Sequence, residues 1–156
     1  MRFQNQPIAT GTGFVCEHKA GPVLITNWHN VTGRDPITRE PLSRQSAIPD
    51  QISIMHNAAG QLGTWVPRVE TLYNGNTPRW FEHPTWLDNA DFVALPLENT
   101  DGIQLYPYDL MSGPDFAIAP CEPISVVCFP FCRSGWGALA IWATGFIASE
   151  PIVDFE

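Results

Sequence analysis

The stretch "GFVCEHKAGPVLITNWH", which runs from Gly13 to His29, decides the fold class of this chain. It contains two short apolar segments, "GFVC" and "VLIT", on either side of a turn that includes Gly21 and Pro22. Two such segments around a glycine-proline turn predict an antiparallel hairpin. His29 is then expected at the end of the second strand, where the sequence becomes polar.

Short strands are predicted along most of the remaining chain. Alternation of Ile52 and Ile54 with Ser53 is typical of a half-buried strand, and the polar, proline-broken segment 34–49 predicts a loop. Roughly eight short strands without a long helical periodicity predict an all-β fold, either a barrel or a sandwich. The later strand segments are "DQISIMHN", "GQLGTWVPRVETLY", "ADFVALPL", "EPISVVCFPF" and "LAIWATGFIA".

Charge and hydropathy exclude some classes of partner. The net charge is −8 and no cluster of Lys or Arg interrupts it, so we expect no binding to nucleic acid, whose phosphates an acidic surface repels. The longest apolar run, which starts at Gly137, is too short to span a bilayer. The opening "MRFQNQPIAT" is not a signal peptide. We therefore expect a soluble chain that does not enter a membrane.

The four cysteines, Cys16, Cys121, Cys128 and Cys132, have neither the spacing of a zinc site nor that of a disulfide framework. We expect structural or incidental roles for them, which favours a reducing, cytoplasmic compartment. Secretion after removal of a leader stays an alternative. No metal and no cofactor is expected.

His29 has three possible roles. A lone histidine at the end of a strand is usually a surface residue or a satisfied core residue, so a structural role is the simplest reading. A metal site is disfavoured because His18, His56 and His83 share no ligand spacing with His29. The third role is a catalytic base, which needs a partner that fixes the orientation of its ring.

Asp91 is the candidate partner. It is the one charged residue at the start of the apolar segment "ADFVALPL", and a buried carboxylate without a partner would cost several kcal/mol or become protonated. A histidine N–H directed at the carboxylate would compensate it, and this pair is the orienting half of a catalytic triad. Alternatively, Asp91 accepts hydrogen bonds from backbone amides at the start of the strand.

These segments resemble a family. "GTGFVC…GPVLITNWHNVTG" is similar to the opening of chymotrypsin-like (trypsin-like) serine peptidases of the bacterial type, and "HPTWLDNADFVALPL" resembles their aspartate segment. "VVCFPF…IWATGFIASEP" resembles the start of their second barrel. The resemblance extends from Thr10 to Pro151. It implies that His29 is the general base and that Asp91 orients it. We expect the two side chains within hydrogen-bond reach, on facing edges of the first barrel, with Asp91 largely buried.

The chain also departs from the family pattern. Trp28 precedes the histidine where a small residue is usual, no bracketing disulfide follows, and the first residues lack an Ile-Val-Gly-Gly type terminus. The family's nucleophile lies in a Gly-x-Ser-Gly segment, which is absent from these 156 residues. Ser112-Gly113, Ser134-Gly135 and Cys132 come too early in the resemblance to replace it.

The resemblance implies a chymotrypsin-like antiparallel β-barrel fold in three parts. Residues 1–108 are expected to form a complete first barrel, 109–122 a linker, and 123–156 the opening strands of an incomplete second barrel. The implied function is that of the N-terminal portion of a trypsin-like serine endopeptidase, inactive without its serine. The alternative is a non-catalytic barrel that binds peptides or proteins.

Two further expectations concern the surface. The partner is expected to be a peptide or protein substrate, and the open second barrel is expected to self-associate through its strand edges and apolar side chains. Asn30-Val31-Thr32 matches a glycosylation sequon. We expect it to be unused, because a glycan beside His29 would obstruct the cleft.

Overall fold

The computed structural model describes residues 1–86, 90–110, 118–130 and 133–150. The chain divides into two compact units, Met1–Leu110 and Met111–Glu156. Half of the predicted linker, together with Cys132, lies outside the described residues, and Ser112 is in that half. The linker boundaries therefore stay a prediction.

The described elements are strands, apart from one short helix. In chain order they are β1 Arg2–Phe3, β2 Gln6–Pro7, β3 Gly13–Cys16, β4 Val23–Thr26, α1 Trp28–Thr32, β5 Gln51–Ala58, β6 Trp65–Thr71, β7 Tyr73–Asn74, β8 Thr77–Pro78, β9 Phe81–Glu82, β10 Val93–Pro96, β11 Ile103–Gln104, β12 Pro123–Cys128 and β13 Ile141–Phe146. The prediction of an all-β fold is confirmed. No described helix is long and apolar enough to cross a membrane.

A four-stranded antiparallel sheet carries the sequence features singled out above. Its strand order is β3-β4-β10-β9, and the predicted β3–β4 hairpin is present, with Gly13 opposite Thr26. Thr26 also lies opposite Val93 of β10. The end of β4 is therefore next to the beginning of β10, although 64 residues separate Asn27 from Asp91.

A five-stranded antiparallel sheet forms the other layer of the first unit. β11, β5, β1 and β2 follow one another, and β6 pairs along the length of β5. Both long strands fall in predicted segments, although β6 begins only at Trp65 because residues before it form a turn. β7 and β8 make a separate two-stranded hairpin.

The predicted complete first barrel is not confirmed. Among the described residues, backbone pairing produces separate open sheets, and none closes on itself. The two larger sheets instead share one apolar core. It consists of Leu24, Trp28, Val31, Ile52, Leu72, Trp80, Val93, Leu95 and Leu97. Truncation of a core side chain of this kind to alanine typically costs about 2–5 kcal/mol.

Helix α1 was not predicted. Its sequence, "WHNVT", spans little more than one turn, so it is too short to show a helical periodicity. The helix buries Trp28 and Val31 in the core and ends at Gly33, whose φ of 67° is the left-handed conformation that glycine adopts without strain. This turn fixes the position of His29, between the two buried residues.

The second unit is built on one hairpin. β12 and β13 pair antiparallel over six residue pairs, from Pro123 opposite Phe146 to Cys128 opposite Ile141. Both strands were predicted. No described residue of this unit is buried, so the hairpin has no core of its own among the residues that the structure describes.

Candidate active site

The site lies where β4 ends and β10 begins. Because Thr26 is opposite Val93 in the antiparallel ladder, residues just after β4 lie beside residues just before β10. The chain leaves β4 through Asn27, which is extended, and turns into α1. This turn places the His29 ring over the Asp91 carboxylate.

Three hydrogen bonds hold the turn between β4 and α1 in place. The Thr26 hydroxyl donates to the carbonyl of Thr12 at 2.8 Å, and the Asn30 amide donates to the Thr26 hydroxyl at 2.9 Å. The backbone N–H of Gly33 donates to the carbonyl of His29 at 2.9 Å and closes the helical turn. The backbone that carries His29 is therefore held on both sides of the residue.

His29 and Asp91 are in direct contact. The His29 Nδ1 atom lies 2.8 Å from Asp91 Oδ2 and 3.0 Å from Asp91 Oδ1. With an ionised carboxylate, Nδ1 must carry the proton, because two acceptors without a hydrogen would repel each other. The proton on Nδ1 leaves Nε2 as the basic nitrogen of the neutral ring.

Two other donors hold the Asp91 carboxylate. The backbone N–H of His29 donates to Asp91 Oδ1 at 3.1 Å, and the Asn27 side-chain amide donates to Asp91 Oδ2 at 3.1 Å. The same Asn27 amide also donates to the Asp91 carbonyl at 3.1 Å. Each carboxylate oxygen thus has a fixed donor in addition to the ring. Such support fixes the orientation of the carboxylate.

The predicted contact is present, but its surroundings differ from the prediction. Asp91 was expected to be largely buried, whereas its side chain is 31% exposed, and that of His29 is 33% exposed. The two residues were also expected on facing edges of a barrel, whereas they flank neighbouring strands of one sheet. Burial was overestimated because Asp91 lies two residues before β10, at the rim of the core.

The ring contact predicted for Asp91 is present, whereas its described backbone donor belongs to α1 and not to the start of the strand. Asp91 contacts the histidine ring, and it also accepts a backbone N–H at the start of α1. Asn27, the residue before the helix, makes no capping bond of its own, so Asp91 takes the place of the helix cap. The sequence reasoning missed Asn27, whose polar side chain directly after a buried strand was the available signal.

Trp28 stabilises α1 from the side away from Asp91. Its indole N–H donates to Glu82 Oε1 at 3.0 Å, and the indole of Trp80 donates to the same oxygen at 3.3 Å. The guanidinium of Arg39 lies 4.7 Å from the centre of the Trp28 ring, a cation–π distance. The unusual tryptophan before the histidine therefore ties the helix to β9 and to the following loop.

Asp35, in the loop after α1, adds a negative charge near His29. Hydrogen bonds from the backbone N–H groups of Thr38 and Ile37 lower the pKa of Asp35, and the proximity of His29 lowers it further. Asp35 therefore stays ionised.

The other histidines have different roles. His18 Nδ1 accepts the N–H of Ala20, and His83 Nδ1 accepts the N–H groups of Thr85 and Trp86. His56 is buried, and burial lowers its pKa. Within the described part of the chain, no three His, Cys, Asp or Glu side chains are grouped as a metal site requires.

Asn30 cannot carry a glycan in this fold. Its side chain is only 2% exposed and donates to Thr26. It also packs so closely on Gly11 that a Cβ on that glycine would lie 2.5 Å from the Asn30 amide. Attachment of a sugar would require the helix to unfold. The expectation that the sequon is unused therefore has a steric basis.

A second paired carboxylate, Glu70 of β6, shows what a structural ion pair looks like in this unit. Glu70 is 1% exposed, and one of its oxygens accepts the backbone N–H groups of Glu98 and Asn99 at 2.9 and 2.7 Å. Its other oxygen faces Arg79 at 3.5 Å. Glu70 is enclosed by backbone N–H groups and Arg79. Asp91, by contrast, contacts the His29 ring, which is partly exposed to solvent.

A pocket of about 100 Å³ opens beside His29. Apolar residues make most of its wall, among them Ile8, Ala9, Leu42, Ala47 and Pro49. Sequence reasoning did not predict this pocket, because its residues come from the N-terminal hairpin and from the loop 34–49, which lie far apart in the sequence.

Comparisons with protein families, with curated proteins and with solved structures found no match for this chain. The site is therefore interpreted from its own geometry and chemistry.

Proposed function

We propose that this chain supplies the general base and its orienting carboxylate for a trypsin-like serine endopeptidase. His29 is the base and Asp91 is the orienting residue. The observation that carries the proposal is the contact of His29 Nδ1 with both Asp91 oxygens, at 2.8 and 3.0 Å. This contact directs Nε2 away from the carboxylate, as acyl transfer by a triad requires.

The proposed reaction is peptide-bond hydrolysis. Nε2 of His29 removes the proton from a serine hydroxyl as the oxygen attacks the peptide carbonyl carbon, and Asp91 stabilises the imidazolium that forms. The imidazolium then returns the proton to the leaving amine. Water repeats the sequence on the acyl-enzyme and releases the acid product. Both oxygens of Asp91 already have fixed donors, so its position need not change during these steps.

The nucleophile is assigned to sequence outside these 156 residues, because the chain contains no Gly-x-Ser-Gly segment. Ser134, one of the two Ser-Gly serines, donates its hydroxyl to the carbonyl of Gly137 at 2.8 Å. Ser112 lies outside the described residues. The proposal also includes the finer fold prediction, a chymotrypsin-like fold with a first barrel formed by residues 1–108 and a second barrel that later strands complete.

The test is labelling with a fluorophosphonate probe, which modifies an activated serine. A longer product of the same gene that contains a Gly-x-Ser-Gly segment should react, and the 156-residue chain should not. His29→Ala should abolish labelling, since loss of the histidine of a triad costs roughly a millionfold in turnover. His18→Ala is the matched control, because His18 is exposed and its ring accepts the N–H of Ala20 in its own turn.

A gene without such a segment, or a longer product that His29→Ala leaves fully reactive, contradicts the proposal. The alternative is then a non-catalytic module that binds peptides or proteins. If this alternative holds, the protein should bind peptides even after His29→Ala. No form of the protein should be labelled by the probe.

A further inference from the structure

The pocket beside His29 has rigid walls. The backbone N–H of Leu42 donates to the carbonyl of Gly33 at 2.9 Å, which fixes one wall against the end of α1. Gly33 also lets the loop approach closely, since a Cβ there would lie 2.8 Å from the Pro49 ring. These contacts need no ligand, so the wall is preorganised.

The N-terminal hairpin supplies the opposite wall in the same fixed way. The backbone N–H of Asp50 donates to the carbonyl of Arg2 at 3.0 Å, and that of Ile8 donates to the carbonyl of Met1 at 3.1 Å. Arg2 also pairs with Gln51 of β5. Ile8 and Ala9 therefore face the pocket from a segment that is tied to the five-stranded sheet.

The chemistry of the lining selects an apolar ligand. No described Asp, Glu, Lys or Arg lines the pocket, and its polar side chains are those of Ser43 and His29. The ammonium of Met1, which also lines the pocket, donates to the carbonyl of Ala9 at 2.7 Å. Leu42 is 56% exposed and Ile8 is 37% exposed, so apolar surface at the rim is left in contact with water. A hydrocarbon group that entered would cover this surface, and the removal of apolar surface from water is energetically favourable.

The size of the pocket selects a small ligand. A cavity of about 150 Å³ accommodates benzene, and this pocket measures about 100 Å³. A branched aliphatic side chain such as that of valine or leucine fits this space better than a phenyl ring does.

We propose that this pocket binds a small aliphatic side chain of a peptide substrate, from a residue next to the bond that is cleaved. The assignment of the ligand as a substrate rests on the proposed function. His29 is itself part of the pocket wall, and consecutive Cα atoms lie about 3.8 Å apart. A side chain in the pocket therefore belongs to a residue one or two positions from the carbonyl that reacts at His29.

The test is a methyl NMR titration of the 156-residue chain with capped amino acids, N-acetyl-X-N-methylamides in which X is Val, Leu, Phe or Asp. The Val and Leu compounds should shift the methyl signals of Ile8, Leu42 and Ala47 in a saturable way. The Phe and Asp compounds should bind about tenfold more weakly, a typical discrimination for an apolar pocket.

Two variants assign the binding to the pocket. Ala47→Leu fills it and should weaken binding of the Val compound about tenfold or more. Ala20→Leu is the matched control, because Ala20 is exposed in the turn between β3 and β4, and it should leave the affinity unchanged. Equal affinity for all four compounds, or an Ala47→Leu chain that still binds normally, overturns the proposal.

The ring nitrogen signals of His29 in the same sample separate this proposal from the proposed function. Two results together would overturn the pocket alone. In the titration no methyl signal shifts, while the ring nitrogen signals show a proton on Nδ1 of His29 that Asp91→Asn releases. Methyl shifts that prefer Val and Leu, combined with a His29 ring that does not respond to Asp91→Asn, support the pocket as a binding site and contradict the catalytic role of His29.

Discussion

The two units of the chain differ in what they bury. The first unit has a core in which Val31, Leu72 and Leu95 are fully buried, and its sheets hold the His29–Asp91 contact. The second unit, as far as it is described, is a hairpin with no buried residue, and large side chains such as Trp142 and Phe146 are each 70% exposed.

The described contacts that position His29 and Asp91 all belong to the first unit. Every described contact that positions His29 or Asp91 comes from residues before Leu97, and the core beneath the site comes from the same unit. A two-stranded hairpin is marginally stable in water by itself. We expect variants in the two units to differ in effect, and the expected effects are taken from the largest to the smallest.

Asp91→Asn should have the largest effect, and it should be on activity. In the longer product, turnover should fall by roughly 10⁴-fold, because an amide cannot hold the Nδ1–H tautomer and stabilise the imidazolium. The free energy of unfolding should change by about 1 kcal/mol or less, since the pair is partly exposed. Steady-state kinetics and urea unfolding measure the two quantities. If the lost turnover were explained by a matching fall in the fraction of folded protein, Asp91 would have a structural role.

Glu70→Gln should show the opposite pattern. Glu70 is enclosed, and removal of its charge leaves Arg79, which is 12% exposed, with the exposed Glu98 as its remaining described carboxylate partner. Loss of one partner of a buried pair typically costs about 3–5 kcal/mol, so the first unit should unfold at clearly lower urea. The NMR signals of β12 and β13 should not move.

Glu98→Gln is the matched control for Glu70→Gln. Glu98 also pairs with Arg79, at 2.9 Å, but its side chain is 70% exposed. Exposed pairs contribute about 0–1 kcal/mol, so this variant should stay close to the parent chain. Equal effects of the two variants would show that burial does not separate them.

His56 should make the first unit sensitive to acid. Burial lowers the pKa of His56 below its ordinary value of 6.5, and Arg68 lowers it further. The unfolded chain therefore binds the proton at a higher pH than the folded chain does. Stability falls as the pH drops through the unfolded value, and this loss ends below the folded pKa.

Urea unfolding between pH 5 and pH 7.5, followed separately for each unit, measures this effect. His56→Gln should reduce the pH dependence of the first unit, whereas His18→Gln should not. The second unit should show no histidine effect, because all four histidines precede residue 84. A pH dependence that survives His56→Gln unchanged would contradict the assignment.

Local features of the sequence were predictable, and long-range pairing was not. The β3–β4 hairpin follows from its turn residues and apolar segments, and a lone charge before an apolar strand pointed to Asp91 as a partner of His29. The role of Asn27 depends on Thr26 lying opposite Val93, a register that no local pattern reveals. Likewise, open sheets in place of a closed barrel result from pairing between strands far apart in the sequence.

The smallest effect is expected from the second unit, where we predict weak self-association. Neither β12 nor β13 pairs with a third strand among the described residues, and their alternating side chains expose Ile124 and Val126 on one face and Trp142 and Phe146 on the other. Open edges and apolar faces of this kind recruit a second chain. Sedimentation across micromolar concentrations should show reversible association that Trp142→Thr weakens. Trp86→Thr, a change of an exposed tryptophan in the first unit, should not weaken it. A chain that stays monomeric throughout, or that both variants affect equally, would show that the hairpin is not the interface and that its apolar faces are covered in another way.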